Sequence, residues 1–199
     1  MTHLPTGSSP ILSGADRRRI KGHEPAVLWL TGLSGSGKTT LANAIEYRLV
    51  QEYRLHTYFL DGDIIRTGLN KDLGFSAEAR SENIRRIGEV ARLFYDAGLV
   101  AITAFISPFR ADRAMVRALL PPGGFIEIYA RCPLDVCEAR DPKGLYRKAR
   151  AGLVRDFTGI DSPYEEPEHP ELILDTAQTD LPTCVDKVVA YLREKQVIR

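Results

Sequence analysis

The residues most suited to chemistry stand together near the start of the chain, in the stretch Gly32-Leu-Ser-Gly-Ser-Gly-Lys38-Thr39. This stretch matches at every position the pattern of a phosphate-binding loop that joins a strand to a helix. In such a loop the backbone N–H groups surround an anion, the lysine reaches the β- and γ-phosphates, and the hydroxyl binds Mg²⁺. We therefore expect a nucleoside triphosphate to bind here. A glycine-rich turn with an incidental lysine is the alternative.

Two carboxylates follow the next apolar run, in Asp61-Gly62-Asp63. A short apolar run predicts a strand, and open α/β folds bind ligands beyond the carboxyl ends of their strands. Carboxylates at that edge can hold Mg²⁺ through water, and one of them can orient or deprotonate an attacking hydroxyl. Asp-Gly is also a common turn pair, so a polar turn without chemistry is the alternative. Beside a phosphate-binding loop we favour the catalytic interpretation.

A cation and an amide lie on the apolar face of the longest predicted helix. Ile84, Ile87 and Ala91 form that face. At about 100° per residue, Arg80 and Asn83 fall on the same face near the start of the helix. A buried arginine without a partner is very costly. We therefore expect both side chains to face a cleft that holds an anion, unless the helix begins later and leaves Arg80 in solvent.

A serine follows another buried run and precedes a proline, in Ser107-Pro108. This pair is typical of a helix N-cap with proline at the first helical position, and that interpretation alone explains both residues. A hydroxyl at the carboxyl edge of a sheet can also contact a substrate. Both interpretations stay open.

These residues need a scaffold that brings distant segments to one edge, and the alternation of predicted elements supplies it. Short apolar runs predict five strands, at residues 26–30, 56–60, 99–106, 125–130 and 172–174. Helical patterns cover residues 38–53, 77–97, 108–119, 134–140 and 182–195. This alternation predicts an α/β fold of three layers, with a parallel five-stranded sheet and helices on both faces.

The composition excludes several classes of protein. The 199 residues include 27 Lys+Arg and 26 Asp+Glu, a net charge of +1, so no net field attracts a nucleic acid or an anionic membrane. The longest apolar run, residues 99–106, is far short of the roughly 20 residues that a membrane-spanning helix needs. Three cysteines, an odd number in a chain large enough to form a core without disulfides, favour reduced thiols and a cytoplasmic location.

Two oppositely charged segments lie late in the chain. Residues 140–155 carry six basic side chains and one acidic one, whereas residues 156–180 carry eight acidic side chains and no Lys or Arg. Two solvated surface segments are one interpretation. The other is a basic lid, at about residues 140–160, that closes over phosphates. Residues 1–21 are expected to form a flexible tail, followed by a single domain at residues 22–199.

In their order along the chain, these segments resemble the adenylylsulfate kinase (APS kinase) family. The resemblance rests on the phosphate-binding loop and on six further motifs: Asp61-Gly-Asp-Ile-Ile-Arg66, Gly68-Leu-Asn-Lys-Asp-Leu-Gly-Phe75-Ser76, Arg80-Ser-Glu-Asn83-Ile-Arg-Arg86, Phe105-Ile-Ser107-Pro108, Arg140-Asp-Pro-Lys143-Gly-Leu-Tyr146 and Phe157-Thr-Gly-Ile-Asp161-Ser-Pro-Tyr164. It implies a P-loop kinase fold. It also implies a reaction of sulfate assimilation, in which MgATP gives its γ-phosphoryl group to the 3′-hydroxyl of adenosine 5′-phosphosulfate.

The resemblance assigns residues to the two substrates. The ATP site comprises Gly32, Leu33, Ser34, Gly35, Ser36, Gly37, Lys38, Thr39, Thr40 and Arg140. The adenosine 5′-phosphosulfate site comprises Asp63, Arg66, Phe75, Arg80, Asn83, Ile106, Ser107, Lys143 and Phe157. Phe75 and Phe157 are expected to hold the adenine between their rings, because flat aromatic faces stack on a purine.

The resemblance also implies chemical roles. Lys38, Asp63 and Ser107 are the expected catalytic residues, and Thr39 and Asp61 are the expected Mg²⁺ ligands. Asp63 would position or deprotonate the 3′-hydroxyl. Ser107 matches a serine proposed to form a phosphoenzyme, although direct in-line transfer needs no such residue.

Three positions depart from the family pattern. The family usually has Asn-Val where this chain has Ile64-Ile65, and an acidic residue where this chain has Ala79. The lost amide and carboxylate are expected to weaken a contact to the substrate or to remove an orienting partner of Arg80. The phosphate-binding residues are unchanged.

Three other functions are weighed against this one. Another small-molecule kinase, such as a shikimate or gluconate kinase, does not call for two adenine-stacking phenylalanines. A non-catalytic nucleotide sensor, like the kinase-like domains fused to some ATP sulfurylases, has a decayed loop, whereas this loop is intact. A GTPase is disfavoured because no Asn-Lys-x-Asp guanine motif occurs. The expected partners are a second copy of the chain, in a homodimer, and ATP sulfurylase.

Overall fold

The strands form one parallel sheet in the computed structural model, which describes residues 12–198. The sheet has five strands in the order β2-β3-β1-β4-β5, and each neighbouring pair is parallel. Their bounds are Ala26–Thr31 (β1), Thr57–Asp61 (β2), Val100–Ala104 (β3), Phe125–Arg131 (β4) and Leu172–Asp175 (β5). All five carboxyl ends therefore meet at one edge.

The described residues contain eight helices. Their bounds are Gly14–Lys21 (α1), Lys38–Tyr53 (α2), Gly62–Thr67 (α3), Ala77–Asp96 (α4), Arg110–Ala118 (α5), Leu134–Arg140 (α6), Leu145–Arg150 (α7) and Leu181–Glu194 (α8). Within residues 12–198, no helix combines the length and the apolar character needed to cross a bilayer.

Two hydrophobic cores lie on opposite faces of the sheet. Alternate side chains of a strand point to opposite faces, and the central strand β1 follows this rule. Ala26, Leu28 and Leu30 pack with α2 and α8, whereas Val27 and Trp29 pack with α4 and α5. The predicted three-layer α/β fold is confirmed.

The predicted element bounds agree closely with the observed ones where periodicity is strong. The first and fourth predicted helices match α2 and α6 at both ends. The predicted helix at residues 108–119 begins later, at Arg110. The short helices α3 and α7 were not predicted, because six residues are too few to display an amphipathic repeat.

Part of the expected N-terminal tail is helical. Helix α1 begins with a capping box, in which Ser13 and Asp16 each accept the other's backbone N–H. It ends at Gly22, whose φ of 75° is a left-handed conformation that favours glycine. The expectation of a flexible tail therefore differs from the structure over α1. Residues 1–11 lie outside the described residues.

Candidate active site

One cavity of about 760 Å³ lies at the carboxyl edge of the sheet. It is lined by segments that follow β1, β2, β3 and β5 and by the chain after α6. Among the predicted site residues, the lining includes Ser34, Gly35, Gly37, Lys38, Thr39, Thr40, Asp61, Asp63, Arg66, Phe75, Arg80, Asn83, Ile106, Ser107, Arg140, Lys143 and Phe157. The fold thus brings together side chains from opposite ends of the sequence.

The loop between β1 and α2 requires glycine where neighbouring backbone comes close. A Cβ on Gly32 would lie 2.6 Å from the Ala130 carbonyl oxygen, and one on Gly35 would lie 2.9 Å from that of Cys137. Both glycines also have positive φ. The loop is therefore shaped by contact with β4 and α6 as well as by its own sequence.

Lys38 is almost fully buried at the start of α2, with 9% of its surface exposed. Its ammonium donates to the carbonyl oxygens of Gly32 and Leu33, at 2.9 and 2.7 Å. Burial lowers the pKa of Lys38 to about 8, because the charged form is poorly solvated there. A bound phosphate would supply the missing negative charge.

Thr39 and Asp61 bring two kinds of oxygen ligand together. The Thr39 hydroxyl donates to Asp61 Oδ2 at 3.2 Å, and both residues line the cavity. Asp61 Oδ1 accepts the backbone N–H groups of Asp63 and Ile64, which begins α3 and fixes the carboxylate. Mg²⁺ prefers oxygen ligands and usually binds one or two protein side chains together with phosphates and water. The donor set fits that ion.

Asp63 and Lys143 form an ion pair across the cavity. Asp63 stands in the first turn of α3, and Lys143 in the loop before α7. Their side chains are 72% and 53% exposed, so the pair is accessible to solvent and to a ligand. It joins the predicted acceptor-activating carboxylate to the basic segment.

Arg80 is buried at the start of α4 and is surrounded by neutral oxygens. Its guanidinium donates to the backbone carbonyl oxygens of Phe75 and Asp156 and to the Thr158 hydroxyl. Among residues 12–198 it makes no ion pair with a carboxylate, and burial lowers its pKa. Because α4 begins at Ala77, the alternative of a solvated Arg80 is wrong. The buried positive charge borders the cavity, and Asp156 and Asp161 stabilise it through space without a direct ion pair.

Asn83 lies one turn further along α4 and is also buried. Its side-chain oxygen accepts from Asn70, a fully buried residue of the segment between α3 and α4. This contact ties that segment to α4 beneath the cavity. Asn83 is thereby held in place without the help of a ligand.

The two predicted adenine-binding phenylalanines have very different surroundings. Phe75 is 61% exposed, and the Arg66 guanidinium lies 4.4 Å from its ring centroid. Phe157 is 7% exposed and packs edge to face on Tyr146, with 5.0 Å between ring centroids. Phe157 is therefore fixed by the protein core, whereas Phe75 has a face free for a ligand.

Ser107 is not the N-cap of α5. That helix begins at Arg110 with Phe109 at the cap position, so this interpretation of Ser107-Pro108 is wrong. Ser107 has a positive φ of 40° and is 2% exposed. Its hydroxyl accepts from the Trp29 indole N–H at 3.1 Å. No basic side chain among the described residues contacts this hydroxyl.

The basic segment lines the cavity with half of its cations. Arg140, Lys143 and Arg155 contribute to the lining, whereas Arg147 and Lys148 are exposed and Arg150 pairs with Glu138. Arg140 donates to the carbonyl oxygens of Gly35 and Thr176, at 3.4 and 2.7 Å, and so links the phosphate-binding loop to the end of β5. Basic side chains therefore line one side of the cavity, but only three of the six in this segment do so.

Three predicted nucleotide-site residues do not line the cavity. Gly32 and Leu33 instead accept from Lys38 through their carbonyl oxygens, and the Leu33 side chain packs with the core of α6 and α7. The Ser36 carbonyl accepts from the Thr176 hydroxyl at 2.8 Å. The departures Ile64 and Ala79 also lie outside the lining.

Two residues that support the site were not predicted from the sequence. Thr158 holds Arg80, and Tyr146 donates from its hydroxyl to the Ser34 carbonyl at 2.9 Å. Both stand inside motifs that the family resemblance identifies, but nothing in their sequence separation from Arg80 or Ser34 indicates these contacts. Arg155, in the basic segment, was also unassigned and lines the cavity.

Comparison with known proteins gives a consistent result. The family model described as adenylylsulphate kinase matches residues 24–175. The adenylyl-sulfate kinase of Marinobacter nauticus is 58% identical over 185 residues, which are 93% of this chain and 92% of that protein. The probable adenylyl-sulfate kinase of Bacillus subtilis is 55% identical over 200 residues and the full length of both chains.

Solved structures agree with the sequence relatives. The Mycobacterium tuberculosis APS kinase CysC in complex with AMPPNP and APS has a TM-score of 0.81 and 43% identity, covering 86% of this chain and 99% of that one. A gluconokinase from Sinorhizobium meliloti has a TM-score of 0.57 and 18% identity, with 87% and 94% covered. The gluconokinase similarity shows the shared fold alone.

Proposed function

The chain belongs to the adenylylsulphate kinase family, and from this premise we propose how its residues divide the reaction. It is an ATP-dependent adenylyl-sulfate kinase. It transfers the γ-phosphoryl group of ATP to the 3′-hydroxyl of adenosine 5′-phosphosulfate. The products are 3′-phosphoadenosine 5′-phosphosulfate and ADP.

The donor half of the cavity is assigned to ATP. The backbone of residues 32–40 would surround the phosphates, and Lys38 would leave the Gly32 and Leu33 carbonyls to contact them. Arg140 contacts the same loop and would add a positive charge beside it. A charge that is buried and poorly solvated in the free protein is well suited to an anionic ligand.

Thr39 and Asp61 are assigned to Mg²⁺, on the basis of their oxygen atoms and their contact. Within residues 12–198, no group of three or more His, Cys, Asp or Glu side chains forms a complete metal site. This fits an ion that shares its coordination with substrate phosphates. When bound, Mg²⁺ neutralises negative charge on the phosphates.

The acceptor half is assigned to adenosine 5′-phosphosulfate. Arg66, Arg80, Asn83 and Lys143 offer donors to the phosphosulfate and the ribose, and Ile106 and Ser107 form a wall. Phe75 and Phe157 border the same space and would stack on the adenine. Arg80 supports this most strongly, because a buried guanidinium held by neutral oxygens favours an anion nearby.

Asp63 is assigned to the 3′-hydroxyl. It is the exposed carboxylate of the pair that follows β2, whereas Asp61 is held by backbone N–H groups. Asp63 would accept the proton of the 3′-hydroxyl as the oxygen attacks the γ-phosphorus in line. When the anionic substrate binds, Lys143 would exchange its ion pair with Asp63 for a contact with that substrate. Ser107 is assigned a binding role, because its hydroxyl contacts the Trp29 donor and no base.

A single observation supports the proposal most directly: one cavity joins an intact phosphate-binding loop to a buried arginine, two phenylalanines and an exposed carboxylate. The direct test is an ADP-release assay with MgATP and adenosine 5′-phosphosulfate, with the phosphorylated product identified by anion exchange. Gluconate and shikimate are the comparison acceptors. ADP release with either of them and none with adenosine 5′-phosphosulfate would overturn the proposal.

The assembly and location of the chain are proposals as well. We propose a homodimer that contacts ATP sulfurylase, on the basis of the family resemblance, and a cytoplasmic location. The APS kinase from Thiobacillus denitrificans, 34% identical with a TM-score of 0.68, is described as hexameric, and the match covers 92% of this chain and 31% of that one. All three cysteines are free and buried, which supports a reducing compartment. Light scattering and co-purification with ATP sulfurylase test the first two proposals.

A further inference from the structure

Part of the acidic segment, residues 165–171, contacts helix α5. Arg110, Arg113 and Arg117 recur on α5 at spacings of three and four residues, which places them on one side of the helix. Arg110 pairs with Glu168 at 2.9 Å, and Arg117 with Glu171 at 2.5 Å. These contacts fasten residues 165–171 along α5. Within residues 165–171 the interpretation of a solvated segment is therefore wrong for Glu171, whose side chain is 22% exposed, whereas Glu166 and Glu168 are exposed.

Arg113 is the buried member of the three, with 2% of its surface exposed. Its Nε donates to Glu127 of β4 at 2.7 Å, and its Nη2 donates to the Glu165 carbonyl oxygen at 2.7 Å. Its Nη1 donates to the Ser107 carbonyl oxygen at 2.6 Å. One guanidinium therefore connects a strand, the acidic segment and the turn after β3.

The turn at Ser107 needs such support. A positive φ is rare for a residue with a side chain, and the conformation persists only where its surroundings over-determine it. Thr31 donates to the Ile106 carbonyl at 2.7 Å, and Glu165 N–H donates to the Pro108 carbonyl at 2.9 Å. Trp29 holds the Ser107 hydroxyl. Ile106 and Ser107 line the cavity, so this conformation sets the position of its wall.

We propose that Arg113 is a positioning residue for the acceptor substrate, acting through the Ser107 carbonyl to hold the Ile106–Ser107 wall. The proposal rests on the proposed function for the identity of that substrate. Arg113 does not line the cavity, and it contacts neither the phosphate-binding loop nor the acidic pair after β2. Its effect is therefore specific to the acceptor half.

The test compares Arg113→Lys with Arg117→Lys. A lysine at residue 113 can keep the charge beside Glu127, but it cannot reproduce three donors in a fixed plane, so the hold on Ser107 is lost. Arg117 shares Glu127 with Arg113 but makes no contact with Ser107, and it serves as the matched control. Steady-state kinetics would be measured for both substrates.

We expect Arg113→Lys to raise the KM for adenosine 5′-phosphosulfate about tenfold and to leave the KM for ATP within about twofold of wild type. Arg117→Lys is expected to leave both KM values within about twofold of wild type. Equal rises in both KM values, the same rise in the control, or no rise in either variant would overturn the proposal. If Arg113→Lys does not fold, the double variant Arg113→Gln/Glu127→Gln removes the buried charge with its partner and gives the same comparison.

Trp29 supplies a readout that needs no activity. It is the only tryptophan in the chain, it is fully buried, and its indole N–H contacts the Ser107 hydroxyl. Arg113→Lys should shift its fluorescence emission, whereas Arg117→Lys should not. An unshifted spectrum in Arg113→Lys would contradict the coupling through Ser107. If wild type fails to phosphorylate adenosine 5′-phosphosulfate, the proposed function fails, and the spectra still test this coupling.

Discussion

The two halves of the cavity are built differently. The donor half comes almost entirely from one stretch, residues 32–40, between β1 and α2. The acceptor half is assembled from α3, the start of α4, the turn after β3 and the chain on either side of α7. The first is a local structure placed on a sheet, whereas the second exists only because distant segments meet.

The halves also differ in exposure, although each contains a buried cation, Lys38 or Arg80. Lys38 and Asp61 are buried and fixed by hydrogen bonds within the protein. Asp63, Phe75 and Lys143 are exposed and stand ready to exchange their contacts for a ligand.

The largest effect is expected from the carboxylate that separates the two halves. Asp63→Asn should lower kcat about 1000-fold and leave ATP affinity within about twofold, because the acceptor hydroxyl loses its base while the donor half is intact. Turnover assays and calorimetric titration with ATP measure the two quantities. Asp96→Asn, at the exposed end of α4, is the control and should behave as wild type. Normal turnover in Asp63→Asn would show that another group acts as the base.

Removal of the buried Arg80 charge should act on binding in the acceptor half alone. Arg80→Met is expected to raise the KM for adenosine 5′-phosphosulfate about 100-fold, because a desolvated guanidinium makes strong contacts to an anion. Arg92→Met is the control, since Arg92 forms only surface ion pairs on the same helix. A matching rise in the KM for ATP would show that the halves are not independent at Arg80.

Substitution of the two phenylalanines is expected to have different effects, on substrate binding for Phe75 and on protein stability for Phe157. Phe75→Ala should raise the KM for adenosine 5′-phosphosulfate about tenfold with little change in stability, because the ring is exposed. Phe157→Ala should lower the free energy of unfolding by about 3 kcal/mol, because it opens a cavity beside Tyr146. Denaturant unfolding and kinetics of both variants distinguish these outcomes. Equal losses of stability would contradict the contrast.

The affinity for ATP is expected to depend on pH through Lys38. Its pKa of about 8 in the free protein should rise when phosphates stabilise its charged form. Below pH 8 the lysine is already charged, so few protons are taken up when ATP binds in this pH range. As the pH rises above 8, binding must protonate it and should weaken by up to about tenfold per unit. Calorimetry of MgATP binding at pH 7 and pH 9, in buffers of different ionisation enthalpy, measures the uptake. Equal uptake at both pH values would contradict it.

The smallest effect is expected at Ser107. Ser107→Ala should lower kcat no more than about fivefold, because the hydroxyl accepts from Trp29 and has no base beside it. A phosphoenzyme mechanism instead requires this oxygen, and its loss would abolish turnover. Rapid-quench kinetics with labelled ATP would detect a phosphorylated protein. Such an intermediate would make Ser107 a reacting group rather than part of the wall.

Much of the scaffold could be predicted from periodicity. The strand and helix patterns give α2 and α6 at both ends, and the face shared by Arg80 and Ile84 is buried as expected. Helices α3 and α7 were missed because one turn and a half shows no repeat. The sequence left open whether Ser107 caps a helix or contacts a substrate, and tertiary contacts with Trp29 and Arg113 hold it in a conformation that is not a cap.

The sequence by itself determined the phosphate-binding loop, the three-layer parallel fold and the family, because each depends on neighbouring residues or on regular spacing. Only the tertiary structure decided which basic side chains border the cavity and what holds Arg80. It also decided that the acidic segment is fastened to α5. These features depend on contacts between residues far apart in the chain, 78 positions for Arg80 and Thr158 and 105 for Arg140 and Gly35. Charge and spacing along the chain do not specify such partners, because only the folding of the whole chain brings them together.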